Sequence, residues 1–294
     1  MKQKAAPLFI LAAGTLWGVM GIFVRHFNAS GLGSMEIGTL RVLTGLVITG
    51  LYLLVCHRDL LKIRFRDLWC FLGTGIGSLF FMNLTYFTAM QHTSLAVAGV
   101  LLYTAPIFVM LMSALLFREN ITAKKLLALA MAFCGCALVS GLGSDSRVSP
   151  AGLLFGLGAG LSYALYSIFG RYAIQRGYGS WTITFYSFLF CGILSVFLCD
   201  WSLVTPILTA PPQILWIVCL GFVTAFSPYI LYSLGLEAME SSRASILASI
   251  EPVVAAIVSV AVFSEPMAFT AVLGIILVLA AIILLSVQKK PCIK

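Results

Sequence analysis

A glutamate and a proline stand side by side, Glu251-Pro252, within the apolar stretch Leu247-Ala248-Ser249-Ile250-Glu251-Pro252-Val253-Val254. The proline removes a backbone donor and crowds the carbonyl four residues back, that of Ala248. An ionisable side chain in lipid surroundings marks a functional site by default. On a membrane-crossing helix Glu251 would lie about nine residues in, roughly 14 Å deep at ~1.5 Å per residue. That is close to the midplane of a ~30 Å hydrocarbon core. Placing a carboxylate there costs on the order of 2.5–3.5 kcal/mol, so the group is expected to meet water, a cation, a proton or a polar partner. It either lines a polar pathway or caps the carbonyl freed by Pro252; the pathway is the working expectation.

Arg41 also stands in an apolar run, about five residues from its start and roughly 7–8 Å below the boundary by helical rise. Its guanidinium could fork onto a substrate carboxylate. It could equally snorkel to the interface or pair with Glu36, and this structural role is the favoured reading. Polar aromatics form a third group. Gly14, Trp17, Gly18 and Gly21 share a helix face, and Gly160, Tyr163, Ala164 and Ser167 repeat that pattern of small residues around one aromatic. Small residues let helices approach, and an aromatic with a polar edge suits a binding wall. Tyr166 extends the second face by three residues, Asn83 with Tyr86 matches Tyr229 with Tyr232, and Tyr103 sits one turn before Pro106. Singly, each aromatic reads as packing; as a symmetric set they are candidates for a cavity wall.

Groups of this kind need membrane helices to hold them. The 294-residue chain is 61% hydrophobic and 10% charged, where a soluble domain would carry about 25% charged residues. Apolar runs near 20 residues predict a polytopic all-α integral membrane protein. Ten segments are expected, at about 7–27, 35–56, 68–90, 94–117, 123–142, 151–172, 180–200, 212–235, 242–263 and 267–287, joined by short loops. The net charge of +8 fits loop asymmetry better than nucleic-acid binding. With the N-terminus inside, 15 of the 18 Lys and Arg residues fall on the inner side, leaving Arg25, Arg41 and Arg147 opposite. Both termini are therefore expected in the cytoplasm. The N-terminal run follows Lys2 and Lys4 with no small-residue cleavage site and reads as a retained first helix. The eight cysteines lie mostly in apolar segments and read as fillers, with Cys134 and Cys136 on different helix faces.

A gapless shift of 146 residues superimposes the two halves. It places Gly14 on Gly160, Arg25 on Arg171, Tyr86 on Tyr232, Pro106 on Pro252, Phe117 on Phe263 and Glu119 on Glu265. Residues 1–145 and 146–294 thus form two five-helix repeats, and an odd helix count makes the second enter the membrane from the opposite side. Inverted repeats of this kind are the sequence signature of many secondary transporters. Phe117-x-Glu119 and Phe263-x-Glu265 should end their helices at opposite interfaces as caps or gate contacts, and Pro106 and Pro252 should supply kinks to both halves. Pro228, with Met82 at the matching position, is expected to kink the second half only. Gly73, Gly75 and Gly77, like Gly152, Gly156 and Gly160, read as packing stripes and not phosphate loops, which require a strand before the helix.

The chain resembles the drug/metabolite transporter superfamily in its EamA-like branch. The likeness rests on the two five-helix repeats, on Tyr103-Thr104-Ala105-Pro106 through Phe117-Arg118-Glu119, on Ile250-Glu251-Pro252 through Phe263-Ser264-Glu265, and on Arg41. It implies a metabolite carrier, often an exporter, with a central cavity between the repeats, in a bacterial cytoplasmic membrane. Ala105 departs from Glu251 at the matching position, so any acidic function is confined to one half.

The expectation is a secondary transporter of a small metabolite, an amino-acid-like zwitterion or an organic cation, working by alternating access. Many intramembrane Lys and Arg residues, which a phosphate substrate would want, are missing. Expected partners are the small-molecule substrate, membrane lipids and a proton as candidate coupling ion; nucleic acid is not one, and no cofactor or metal is expected, since His26, His57 and His92 form no cluster. A facilitative uniporter is the close alternative. An integral-membrane enzyme acting on lipid or prenyl substrates is the remote one, since only Glu251 is both acidic and deep.

Overall fold

The computed structural model describes residues 2–141 and 149–286. The side chains of Lys2 and Lys4, all of Arg147, Lys289, Lys290, Cys292 and Lys294, and the boundary between residues 145 and 146 lie outside the described residues.

Long apolar runs bounded by Gly, Pro, Ser and charged residues form the helices α1 (Ala5–Ala29), α2 (Ser34–Cys56), α3 (Phe65–His92) and α4 (Leu95–Phe117). They continue with α5 (Ala123–Val139), α6 (Pro150–Gln175), α7 (Ser180–Leu198), α8 (Pro211–Ala238), α9 (Ser241–Phe263) and α10 (Phe269–Ser286). Nine of these, among the described residues, are long and apolar enough to cross a membrane; α5 is the exception, at 17 residues. No strand occurs among the described residues. A short helix, Trp201–Leu208, lies between α7 and α8, where the sequence predicts only a connection. Asp200 starts it by accepting from the Ser202 amide at 3.0 Å, and eight residues are too few to register as a periodic run.

Packing joins the halves instead of segregating them. α1 packs on α8 and α9, α6 packs on α3 and α4, α2 on α7, and α5 on α10. The 146-residue shift maps the first pairings onto the second and the last two onto themselves, so the contacts obey the expected inverted repeat. Glycine permits the closest of them. A Cβ on Gly14 would lie 3.0 Å from the Ala248 carbonyl oxygen, and one on Gly160 would lie 2.7 Å from that of Leu101. Gly152 and Gly156 likewise face Thr93 and Leu101 closely, which is packing and not ligand geometry.

Three deviations from straight helices recur in both halves. α4 is interrupted at Tyr103-Thr104 and α9 at Ser249, each just before its proline. The carbonyls four residues before Pro106 and Pro252 belong to Leu102 and Ala248, the last residues before each break, as the ring clash requires. α3 and α8 each contain a π-helical stretch, Gly73–Phe80 and Phe222–Phe226. The deformation of the third helix is therefore not confined to the half that carries Pro228; a π stretch distorts a helix without any proline. Finally, Arg118 after α4 and Ser264 after α9 are the positive-φ non-glycine residues among those described, at φ 55° and 56°. Each turns the chain so that the amide two residues beyond the helix returns to it, Glu119 to the Ser113 carbonyl at 3.2 Å and Glu265 to that of Ser259 at 3.3 Å.

Candidate functional site

The break in α9 starts a new helical segment at Ile250, and Glu251 lies in its first turn. There the unpaired amides and aligned peptide dipoles favour negative charge. The Tyr163 hydroxyl on α6 donates to Glu251 Oε2 at 3.2 Å. Glu251, Tyr103 and Tyr163 line two spaces at once. One is a cavity of about 290 Å³ also lined by Trp17, Met20, Arg41, Asn83, Tyr86 and Tyr229. It reaches the helix ends at Ser34, Met90 and Leu95. The other is a crevice of about 20 Å³, barely the size of one water, bounded by Pro106, Val109, Ser167, Tyr232, Ser245 and Ser249. The three residues thus form the floor of the wide space and the roof of the narrow one.

The wide cavity brings together Glu251, Trp17, Arg41, Asn83, Tyr86, Tyr103, Tyr163 and Tyr229. Trp17 packs edge-on against Tyr229, centroids 5.1 Å apart, and touches Tyr163 and Tyr232 at 6.2 and 5.5 Å. Its indole N–H is buried with no partner among the described residues. Tyr232 lies in the crevice, where its hydroxyl is 2.7 Å from that of Ser167. Tyr166 lines neither space. It is 2% exposed, and its hydroxyl is 3.0 Å from Ser233 Oγ, because three residues beyond Tyr163 the helix has turned its face by about 60°.

Arg41 is 7% exposed. Its Nε and Nη2 both donate to the Thr224 carbonyl in the π-helical stretch of α8, at 3.1 and 2.7 Å. Glu36, the alternative partner, instead accepts from the Asp200 amide at 3.3 Å. Arg41 therefore satisfies a displaced carbonyl while standing on the cavity wall, 5.8 Å above the Tyr229 ring. Sequence reasoning did not single out Met20, Val24, Ser34, Ile37, Met82, Phe87, Met90, Leu95 or Leu102, which complete the wall. The i, i+3 and i+7 spacing of Ser34, Ile37 and Arg41 and of Asn83, Tyr86 and Met90, with Met82 at i, i+4 and i+8 to the same pair, carries the signal that could have found them.

The end of the bundle rich in Lys and Arg is tied shut. Glu119, beyond α4, accepts from the Ser241 and Ser242 amides at the start of α9, at 2.8 and 3.2 Å, and from the Ser242 hydroxyl at 2.5 Å. Arg171 of α6 lies 3.9 Å from it and also donates to the Leu236 carbonyl at 2.9 Å. Lys125 pairs with Glu240 at 2.8 Å. At the opposite end Arg25 pairs with Glu265 at 2.5 Å, both side chains nearly half exposed. The Ser259 hydroxyl and the Arg25 guanidinium hold Glu265 below the ordinary carboxylate pKa.

Comparison with known proteins agrees with this architecture. The profile of the EamA-like transporter family matches twice, over residues 4–141 and 150–287. An uncharacterized transporter of Archaeoglobus fulgidus is 30% identical over 94% of both chains. The uncharacterized transporter YwfM of Bacillus subtilis is 24% identical over 99% of this chain and 96% of its own. The uncharacterized inner membrane transporter YicL of Salmonella typhimurium is 24% identical over 98% and 97%. A solved crystal structure superposes with a TM-score of 0.78 at 18% identity, covering 96% of each chain, which is a likeness of fold.

Proposed function

The chain belongs to the EamA-like transporter family, and from that premise we propose that it is a secondary transporter that carries an amino-acid-like zwitterion or an organic cation by alternating access. The observation that carries the reading is the position of Glu251, the one acidic group among the residues lining a cavity walled mostly by aromatic and apolar side chains, with Arg41, Asn83 and Ser34 as its other polar members. A cationic nitrogen would meet the carboxylate there and the faces of Tyr103, Tyr163 and Trp17 beside it. Arg41, across the same space, is the group to which a substrate carboxylate would turn. The carboxyl of Glu251 is also the candidate carrier of a coupling proton.

The wide cavity and the narrow crevice support alternating access. Tyr163, Ser167, Tyr232 and Ser249 hold, in the second half, the positions of Trp17, Gly21, Tyr86 and Tyr103 in the first, while Tyr229, the counterpart of Asn83, lines the wide space with it. Positions that line an open space in one half largely line a closed one in the other. The basic end is assigned to the cytoplasm, which makes this the outward-open state, with both termini cytoplasmic. Export through a bacterial cytoplasmic membrane is the direction we favour.

The deciding experiment is flux into proteoliposomes across a panel of amino acids and organic cations, with and without a pH gradient. Transport of one such solute, lost in Glu251→Gln, is the expected result. Full transport by that variant overturns the role given to Glu251. Absence of flux for every solute, together with turnover of a lipid, overturns the transport reading.

A further inference from the structure

We propose that Glu119 and Glu265 are two copies of one latch, engaged in alternation, each closing its own end of the protein by capping the first turn of the other repeat's fourth helix. The proposal rests on the alternating-access reading and specifies the contacts that exchange.

The structure holds one copy in each state. Glu119 is engaged: it caps the Ser241 and Ser242 amides across the repeat boundary, and its side chain is 7% exposed against 45% for Glu265. While Glu119 is engaged, the hydroxyl of Ser113 on its own helix is buried and has no partner among the described residues. Glu265 is released: it folds back to accept from the hydroxyl of Ser259, the counterpart of Ser113, and from Arg25. Both glutamates follow a non-glycine residue in the left-handed region, Arg118 and Ser264. That conformation costs about 1–2 kcal/mol and survives where the surroundings require it. Here it aims each carboxylate off the end of its helix.

The targets are equivalent too. Leu95 and Ala96 open α4 as Ser241 and Ser242 open α9, and the first amides of any helix lack intrahelical partners. With the outer end open, α4 is capped from within its own half, Ser94 Oγ accepting from the Val97 amide at 3.2 Å. Closing that end brings Glu265 from Ser259 onto the Leu95 and Ala96 amides. Opening the inner end returns Glu119 to Ser113, whose orphaned hydroxyl waits for it. The exchange is not quite even, because Ser242 gives Glu119 a hydroxyl that Ala96 cannot give Glu265. The extra bond biases the resting protein toward the state described here, inner end closed.

Hydrogen–deuterium exchange on the reconstituted full chain tests this without a substrate. Glu119→Ala should speed exchange across residues 241–246 and, in the same protein, slow it across 95–100, each by about tenfold for the loss of a charge-assisted cap. Glu265→Ala should do the reverse. Ala96→Ser, which adds the missing hydroxyl, should slow 95–100 and speed 241–246. A merely local cap would speed 241–246 in Glu119→Ala and leave 95–100 unchanged, which overturns the proposal. Should Glu119→Ala simply unfold and speed both regions, Ala96→Ser decides: no reciprocal change in that variant also overturns it. Reciprocal exchange in a protein that moves no solute would keep the latch and remove the transport reading, so the two failures are distinguishable.

Discussion

The hydroxyl of Tyr163 donates to Glu251 Oε2 at 3.2 Å, tying the first helix of the second repeat to the carboxylate that follows the break in its fourth. Tyr163→Phe removes that donor and keeps the ring. Loss of a hydrogen bond to a charged acceptor costs about 1.5–3 kcal/mol, so apparent substrate affinity should fall roughly tenfold to a hundredfold with little change in expression. Substrate titration of flux in proteoliposomes measures it, and unchanged affinity would detach Tyr163 from the substrate site.

Arg41 grips the Thr224 carbonyl with two nitrogens. Lysine can reach the carbonyl with one ammonium but cannot reproduce the fork. Arg41→Lys should therefore destabilise the detergent-solubilised protein by about 1–3 kcal/mol, since a displaced buried carbonyl is left poorly satisfied. Thermal unfolding monitored by tryptophan fluorescence reads the change. A stable Arg41→Lys variant that has lost transport would instead assign the guanidinium to the substrate.

Gly160 and Gly21 make a contrasting pair on symmetry-related helices. A methyl at Gly160 would press on the Leu101 carbonyl at 2.7 Å, whereas one at Gly21 meets nothing within 4 Å. Gly160→Ala should lower stability by about 1–3 kcal/mol through overpacking. Gly21→Ala should hold or raise it by about 0.5–1 kcal/mol, the usual helical gain of alanine over glycine. Parallel thermal melts of the two variants compare them, and equal effects would mean that helix approach is not limiting.

Acid acts on the Arg25–Glu265 pair with a definite sign. Ser259 and Arg25 lower the Glu265 pKa from its usual 4.5. A lowered folded pKa contributes stability above the unfolded value and loses it as the pH falls through the lowered one. Exchange across residues 259–266 should thus be independent of the state of Glu265 throughout the neutral range and rise only below the ordinary carboxylate range. Any pH dependence of transport near neutrality must then come from another group, for which Glu251→Gln is the test. A Glu265-dependent transition near neutrality, absent in Glu265→Gln, would contradict this.

Much of the frame was readable from the chain alone. The observed helices agree with the apolar segments within a few residues, because lipid demands about 20 apolar residues per crossing and leaves little freedom in where a helix stops. The 146-residue register placed Pro106 with Pro252 and Glu119 with Glu265 without any coordinates, since residues matched in spacing take matched places in equivalent repeats. The breaks before both prolines follow from ring geometry, and the packing role of the glycine stripes from the need for close helix approach.

Folding supplied what spacing cannot carry. Glu119 and Ser241 are separated by 122 residues, and no periodicity encodes which repeat a carboxylate will cap. Arg41 meets a carbonyl displaced by a π-helical stretch, a local choice among nearly equal hydrogen-bond registers that neighbouring helices settle. Tyr163 reaches Glu251 while Tyr166, three residues on, turns to Ser233. The chain therefore set which residue types lie at which depth, and in which half. Packing of one repeat against the other decided which side chains meet, which carboxylate caps the neighbouring repeat, and which of the two spaces beside Glu251 is wide.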